Sequence, residues 1–330
     1  MKRRAFIGFA GWIAANWPVA LVAQQGDRKK RVGILIARPE NDMEGQSYLL
    51  AFQQALEPLG WRPGQNIDIE CRWTGGDARL AQTFAAELVA LKPDVLVINS
   101  TASVIAARRL AGPVPIVMAA VADPVAQGFV QSLERPGGNI TGFAVEEPEM
   151  GAKWVELLKE IAPKVTHVTV INNPDSAPFA KMFLPSIERA VKSFPVELAV
   201  SHIENEDDVR KAIAAAARRQ NGGLIFLPDS FLASRRELIA KLVADQQVPA
   251  IFSHSSFVRD GGLIGYGFDR SDIFRRAASY VDRILKGETP SQLPVQMPTR
   301  FDLALNLKTA KALGLEIPPA LLARADEVIE

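Results

Sequence analysis

Hydrophobic residues in the first half of the chain form short continuous runs separated by longer periodic stretches. Residues 32–37, 94–98 and 114–118 are runs of the kind found in strands buried on both faces of a parallel sheet. Between the first two runs, residues 49–59 space their apolar positions three and four apart, which predicts an amphipathic helix ending at Gly60. Strands that alternate with helices predict right-handed crossovers and a doubly wound sheet.

The same alternation restarts after a turn at residues 136–139. Further strands are predicted at residues 168–171, 196–200, 223–227, 250–252 and 263–267. The helices between them are predicted at residues 153–161, 179–191, 207–218 and 234–244. Two α/β halves of similar size, each with its own sheet, fit a chain of 330 residues better than one very large sheet. The predicted fold class is therefore α/β, with two doubly wound parallel-sheet lobes.

The last sixty residues follow a different pattern. A long helix is predicted at residues 272–285, ended by Gly287, and a proline-rich extended segment follows at residues 290–298. Two more helices are predicted at residues 303–314 and 319–325.

The N-terminus has the pattern of an export signal. Lys2, Arg3 and Arg4 precede a mostly apolar stretch at residues 5–17, and small residues lead to a cleavage site after Ala23. The apolar stretch is shorter than the roughly 20 residues that a membrane span needs. Residues 1–23 are therefore predicted to direct export to the periplasm by the Sec or the twin-arginine route. A membrane anchor or a disordered tail is the alternative.

Charge and cysteine content narrow the class of protein. Without the three basic residues of the signal, 35 basic residues face 37 acidic ones, which leaves a formal charge of −2. Such a balance argues against nucleic acid as a partner, because nucleic-acid binding favours a clustered basic face. Cys71 is the only cysteine, so no internal disulfide forms and stability must come from burial of the core.

Small and polar residues follow the predicted strands, where ligands bind in open α/β sheets. In the first half, Ser100 and Thr101 follow one strand and enter a helix, and Asp123 follows the next. Their side chains either cap the helices or, together with backbone N–H groups, hold an anion such as a carboxylate.

The second half has a corresponding set of polar strand-end residues. They are Asp229, Ser230, Ser253, His254, Tyr266 and Asp269. Asp229 or Asp269 would accept a ligand ammonium group, and Tyr266 would stack on a ligand or hydrogen-bond to it. His254 is either a ligand contact or an ordinary hydrogen-bonded polar residue. Because the pattern occurs in both halves, we expect one small-molecule ligand in a cleft between them.

Signals of catalysis are weak. The three histidines lack metal-ligand spacing such as HExxH, and the chain has neither a GxSxG nucleophile turn nor a GxxxxGK phosphate loop. No catalytic residue, metal site or cofactor is therefore predicted.

Five stretches together resemble the ABC-transporter substrate-binding proteins of the type I periplasmic-binding superfamily, in its tryptophan-binding-protein-like subfamily. They are ADPV at 122–125, LERPGGNITG at 133–142, GGLIGYG at 261–267, RAASYVDRILKG at 276–287 and NLKTAKALGL at 306–315. The resemblance implies a monomer of two hinged lobes, a ligand in the cleft and an inner-membrane ABC permease as partner. It implies that residues 27–145 plus about 271–300 form lobe 1 and residues 146–270 form lobe 2. Residues 301–330 would be a helical segment near the hinge.

The resemblance also assigns roles to residues of the cleft. It points to Ser100 and Thr101 in lobe 1, and in lobe 2 to Asp229, Ser230, Ser253 and Tyr266, with Asp229 facing a ligand ammonium. No arginine is identified at a cleft position, so recognition of a carboxylate would depend on neutral donors.

The function implied is capture of a small polar or amino-acid-like solute, with aromatic amino acids as the leading candidates, and its delivery to a permease. An exported sensor module is the alternative, and an α/β enzyme is a weaker one.

Overall fold

A computed structural model of the chain describes residues 28–145 and 148–330. Lobe 1 is built on a sheet of five parallel strands. These are β1 (Lys30–Ile36), β2 (Ile67–Trp73), β3 (Val95–Asn99), β4 (Ile116–Val121) and β5 (Ile140–Ala144). The helices that follow its first three strands are α1 (Met43–Leu56), α2 (Ala78–Ala90) and α3 (Thr101–Arg108).

Lobe 2 is built on a sheet of seven strands. These are β6 (His167–Asn172), β7 (Glu197–His202), β8 (Gly222–Phe226), β9 (Ala250–Phe252), β10 (Ile264–Phe268), β11 (Phe301–Asn306) and β12 (Glu327–Ile329). The helices of this part of the chain are α4 (Met150–Ile161), α5 (Leu184–Val191), α6 (Glu206–Ala217), α7 (Ser230–Ala233), α8 (Arg236–Asp245), α9 (Ser255–Arg259), α10 (Arg270–Leu285), α11 (Leu307–Ala312) and α12 (Pro319–Leu322). Short 3₁₀ turns lie at Glu57–Leu59, Ala180–Phe183 and Pro290–Gln292.

The two sheets repeat one strand order. Lobe 1 runs β2-β1-β3-β4-β5, and the parallel part of lobe 2 runs β7-β6-β8-β9-β10. In each lobe the order reverses direction next to the first strand, which makes a topological switch point beside β1 in lobe 1 and beside β6 in lobe 2. The predicted fold class, two doubly wound α/β lobes, is confirmed.

Burial explains why the continuous apolar runs became central strands. All five residues of β3 and all six of β4 are buried, because helices cover both faces of the sheet. Helix α1 begins at the cap Asp42, whose carboxylate accepts the N–H of Gly45, and it buries Tyr48 and Phe52 against the sheet.

The chain passes between the lobes three times. The first crossing runs from β5 to α4, and the second runs back from β10 to α10. The third runs from Gln296, which pairs with Phe143 of β5, to β11. Helix α10 packs on lobe 1, where the rings of Tyr48 and Phe274 stack with centroids 5.1 Å apart. These three crossings form the connection between the lobes.

The expected helix at residues 303–314 is wrong in its first part. Residues 301–306 form β11, which pairs antiparallel with β10 and extends the sheet of lobe 2. Leu303 and Leu305 pack into the core of that lobe. The helix begins only at Leu307, after the Asn306 side chain caps it by accepting the N–H of Thr309. In residues 301–306, pairing with β10 outweighs the helical spacing of the apolar residues.

The predicted export signal at residues 1–23 lies outside the described residues. Within residues 28–145 and 148–330, no helix combines the length and the apolar character needed to cross a membrane.

Candidate ligand-binding site

The carboxyl ends of the strands of both lobes meet at one narrow cavity of about 40 Å³. This volume lies well below the range of about 300–1,000 Å³ seen for small-molecule sites, so the two lobes leave little free space between them here. Predicted residues of both lobes line it. They are Ser100 and Thr101 from lobe 1, and Asp229, Ser230 and His254 from lobe 2. The cavity lies beside the switch points of both sheets, as the topology requires.

The rim of lobe 1 is conformationally strained. Ser100, at the N-cap of α3, has φ 81° and ψ 147°, a region that residues other than glycine rarely occupy. Its hydroxyl oxygen accepts the N–H of Ser103 at 3.2 Å and so caps the helix. Ala120 has φ 64° where the pairing of β4 with β5 shifts register. Both residues line the cavity, and such strain clusters at functional sites.

Side chains tie the strand ends of lobe 1 together. The Asn99 amide accepts the N–H of Ala37 at 3.3 Å and donates to the carbonyl of Ala119 at 2.9 Å. The Thr101 hydroxyl oxygen accepts the N–H of Ala122 at 3.3 Å. The cavity wall on this side is therefore held in place by hydrogen bonds between β1, β3 and β4.

Arg38 lines the cavity, so the expectation that no arginine stands there is wrong. Its guanidinium is buried and donates to Glu44 at 2.6 Å within lobe 1. It also donates to the carbonyl of Ala233, across the cleft in lobe 2, at 2.5 Å. Burial raises the pKa of Glu44, but Arg38 and the Tyr48 hydroxyl outweigh that effect, and the pKa lies below its ordinary value. Its position in the sequence could have indicated this role, because Arg38 lies just after the first buried strand.

Arg270 is a second arginine that sequence reasoning missed. It is the first residue of α10, lines the cavity, and lies over the ring of Phe268 at 4.8 Å. Its guanidinium contacts Nδ1 of His254. Burial and the nearby charges of Arg270 and Arg38 hold the pKa of His254 well below its usual value, so the ring is neutral at pH 7.

Asp229 lies in the cavity wall but is engaged by its own lobe. Its Oδ1 accepts from the Ser176 hydroxyl and from the N–H groups of Phe231 and Leu232, at 2.7 to 3.1 Å. Its Oδ2 accepts the N–H of Asn173 at 2.8 Å. Burial raises the pKa of Asp229 above its ordinary value, and these hydrogen bonds offset only part of that effect.

Four predicted residues lie apart from the lining. Ser253 is buried at the end of β9. Tyr266 stacks on Phe301 with ring centroids 5.9 Å apart and packs against the core of lobe 2. Asp269 caps α10, and Asp123 accepts the N–H of Ala126. The capping interpretation thus holds for Asp123, on the turn that follows it, whereas Asp269 caps a helix where a ligand contact was predicted.

The lobes touch each other around the cavity. The Ser234 hydroxyl donates to the carbonyl of Gly75 at 2.7 Å. At Gly76 the approach is so close that a Cβ atom would lie 2.5 Å from the carbonyl oxygen of Ser230. Arg236 of lobe 2 pairs with Asp42 of lobe 1 and with Asp260 of its own lobe.

Metal binding and thiol chemistry find little support in the described part of the chain. No group of three or more His, Cys, Asp and Glu residues there is arranged to hold a metal ion. Burial raises the pKa of the Cys71 thiol to about 12, so the thiolate is scarce at neutral pH.

Comparison with known proteins gives consistent matches over most of the chain. The model of a family described as ABC transporter substrate binding protein matches residues 44–329. A tyrosine-binding protein of Clostridioides difficile strain R20291 is 28% identical over 292 residues, covering 88% of this chain and 82% of that protein.

Solved structures match as well. A conserved domain protein from Vibrio cholerae is 29% identical with a TM-score of 0.83, over 91% of this chain and 100% of the other. An ABC domain from Streptococcus pneumoniae in complex with L-Trp is 23% identical with a TM-score of 0.82, over 92% of this chain and 100% of the other. At that identity the second structure supports the fold alone.

Proposed function

Since this chain belongs to the family of ABC transporter substrate binding proteins, we propose that it captures a small polar or amino-acid-like solute between its lobes. We further propose that it acts outside the cytoplasm and delivers the solute to the permease of an ABC importer. Members of this family bind solutes and are not enzymes.

The observation that carries the proposal is the cavity shared by both lobes. Ser100 and Thr101 reach it from one sheet, and Ser230 and His254 reach it from the other. A solute that contacts both rims favours the closed arrangement, because it gains contacts there that the open arrangement lacks. Occupancy is thereby converted into a shape that a permease recognises.

The similar proteins suggest which ligands to test first. The Clostridioides difficile relative is named for binding tyrosine, and the Streptococcus pneumoniae structure holds L-Trp. We therefore take amino acids, the aromatic ones included, as the starting panel, together with other small polar metabolites. Native mass spectrometry of the purified protein adds any solute that is retained from the cells.

The test uses two neighbouring glycines as a matched pair. Gly75 and Gly76 both have positive φ, so alanine strains the backbone at either position. Only at Gly76 does a Cβ atom meet the other lobe, at Ser230, while at Gly75 it has open space. Gly76→Ala should therefore hinder closure and weaken solute binding by tenfold or more in calorimetry, and Gly75→Ala should have a much smaller effect.

Equal affinities in the two variants would contradict capture by closure. Absence of any bound or binding solute across the panel and in native mass spectra would contradict the proposed function itself.

A further inference from the structure

The two lobes contact each other directly beside the cavity. Three polar contacts join a short stretch of lobe 2 to loops of lobe 1. They are Ser234 with the carbonyl of Gly75, Arg38 with the carbonyl of Ala233, and Arg236 with Asp42. The cavity between the lobes is only about 40 Å³. Closure therefore brings protein against protein beside the cavity, and contacts between the lobes add to those that a solute makes.

The ion pair between Asp42 and Arg236 lies outside the solute cavity. Neither residue lines the cavity, whereas Arg38 and Ala233 do. Both side chains of the pair are almost fully shielded from water in this arrangement. An ion pair shielded in this way is stronger than one on the surface, because solvent and salt screen it less. The pair therefore acts on the arrangement of the lobes without contacting the solute.

Each partner of the pair is held in position by its own lobe. Oδ1 of Asp42 accepts the N–H of Gly45 at 2.6 Å and caps α1, while Oδ2 contacts Arg236. Nε of Arg236 lies 2.6 Å from the Asp260 carboxylate of lobe 2. Opening of the cleft does not require these contacts to break. Because both groups are positioned in advance, pairing across the cleft immobilises little further side-chain freedom. The same contacts offset part of the desolvation cost of a buried ion pair.

We propose that the Asp42–Arg236 pair is a clasp that keeps most molecules closed before a solute binds. Its consequence for binding rests on the function proposed above. A solute that needs the closed arrangement binds with an apparent affinity proportional to the closed fraction of the free protein. The clasp therefore strengthens the binding of every such solute by one common factor. Contacts between the solute and the rims of the cavity decide which solute is preferred.

Two helix caps of lobe 1 provide a matched pair of variants. Asp42 caps α1 and Asp77 caps α2, and asparagine is as good a cap as aspartate. Asp42→Asn therefore removes the charge from the clasp and keeps its helix capped. Asp77→Asn makes the same change where the ion pair, with Arg79, is exposed and lies within lobe 1.

Spin labels on two distal helices report the separation of the lobes. They are attached at Gln82→Cys in α2 and Ala215→Cys in α6, both exposed positions, in a Cys71→Ala background. Helices α2 and α6 follow β2 and β7, the edge strands farthest from the crossings at β5 and β10. The distance between the labels therefore increases as the cleft opens.

Pulsed electron paramagnetic resonance gives the closed fraction in protein that native mass spectrometry shows to be free of solute. Most labelled molecules should have the separation of this structure, and Asp77→Asn should not change that. Asp42→Asn should lower the fraction at this separation by about fivefold or more, in favour of a longer one. An unchanged distribution in Asp42→Asn, or mostly open molecules without the substitution, overturns the proposal.

Calorimetry connects the closed fraction with affinity. The probes are L-tyrosine and L-tryptophan. For each probe that binds, the dissociation constant in Asp42→Asn should rise by the factor by which the closed fraction falls. Unequal factors for two probes that bind, or an unchanged affinity when the cleft has opened, overturn the role of the clasp in binding. Failure of both probes to bind counts against aromatic amino acids as solutes, and the distance distributions still decide whether the clasp exists.

A double variant tests whether Asp42 acts through Arg236. Adding Asp42→Asn to Arg236→Gln should change the closed fraction little, because the cation of the pair is already absent. An equal effect of Asp42→Asn in the presence and absence of Arg236 overturns the clasp. Asp42→Ser repeats the experiment with another cap-forming residue whose side chain is shorter. Thermal melting of each variant checks that the lobes remain folded.

Discussion

The two rims of the cavity share a topology but differ in how they are built. In lobe 1, Ser100 has φ 81° and Ala120 has φ 64°, both in the left-handed half of conformational space. In lobe 2, the corresponding strand-end residues Asp229 and His254 have φ −160° and −145°, which is ordinary extended backbone. Lobe 1 stores backbone strain at the site, whereas lobe 2 does not.

The difference indicates that the two lobes contribute differently to the cavity. Strain of about 1–3 kcal/mol per residue persists only where the surrounding structure imposes it, as the fully buried strands β3 and β4 do here. The rim of lobe 1 is therefore fixed in shape. Lobe 2 offers a relaxed surface whose ionisable groups are engaged by the protein, since Asp229 is hydrogen-bonded and His254 is neutral.

The largest expected effect comes from breaking the link between the two regions at Arg236. This arginine pairs with Asp42 across the cleft and with Asp260, and the side chains of Arg236 and Asp42 are 10% and 5% exposed. Arg236→Gln removes the cation that Asp42 and Asp260 share, so the free energy of unfolding should fall by about 3 kcal/mol. Chemical denaturation measures the loss, and small-angle scattering should show a larger radius as the cleft opens.

The neighbouring Arg235 is the matched control for that prediction. Its ion pair with Glu206 lies within lobe 2, and both side chains are more exposed. Arg235→Gln should cost less than about 1 kcal/mol and leave the scattering profile unchanged. Similar losses for Arg235→Gln and Arg236→Gln would show that the bridge between the lobes has no special role.

A smaller effect is expected from the titration of His254 on the rim of lobe 2. Its folded-state pKa is depressed by burial and by the cations Arg270 and Arg38, so below about pH 6.5 the unfolded chain takes up a proton that the folded chain excludes. Stability from this group is present above that pH and is lost as pH falls. Between pH 7.5 and 5.5 this loss of stability should amount to roughly 1.4 kcal/mol.

Denaturation curves at both pH values check this expectation. His254→Gln should lose less stability on acidification than the unaltered chain, by about that amount. His202→Gln, at an exposed position, is the control. An unchanged difference between the two pH values in His254→Gln would contradict a buried neutral histidine.

The smallest effect tests the strain in lobe 1. Ala120→Gly relieves a positive φ, and we expect the free energy of unfolding to rise by about 1 kcal/mol despite the greater freedom of the unfolded chain. Ala107→Gly, inside helix α3, should lower it by about 1 kcal/mol. Changes of the same sign in chemical denaturation would mean that the rim of lobe 1 is no more strained than an ordinary helix.

Sequence patterns predicted the strands well because burial on both faces of a parallel sheet requires continuous apolar runs, as in β1, β3 and β8. They failed at β11, where pairing with β10 is a contact that local spacing does not encode. Strand ends likewise predicted Ser100, Thr101 and Asp229 in the cavity wall. The sequence alone does not show which of two adjacent residues caps a helix and which one faces the cavity. Asp269 was therefore predicted to contact the ligand, but it caps α10, and its neighbour Arg270 lines the cavity.

The most direct measurement is a crystal structure of the protein with its solute bound. The account predicts one solute in the cavity, in contact with Ser100 or Thr101 of lobe 1 and with Ser230 or His254 of lobe 2. A solute bound to a single lobe, or bound outside this cavity, would contradict it.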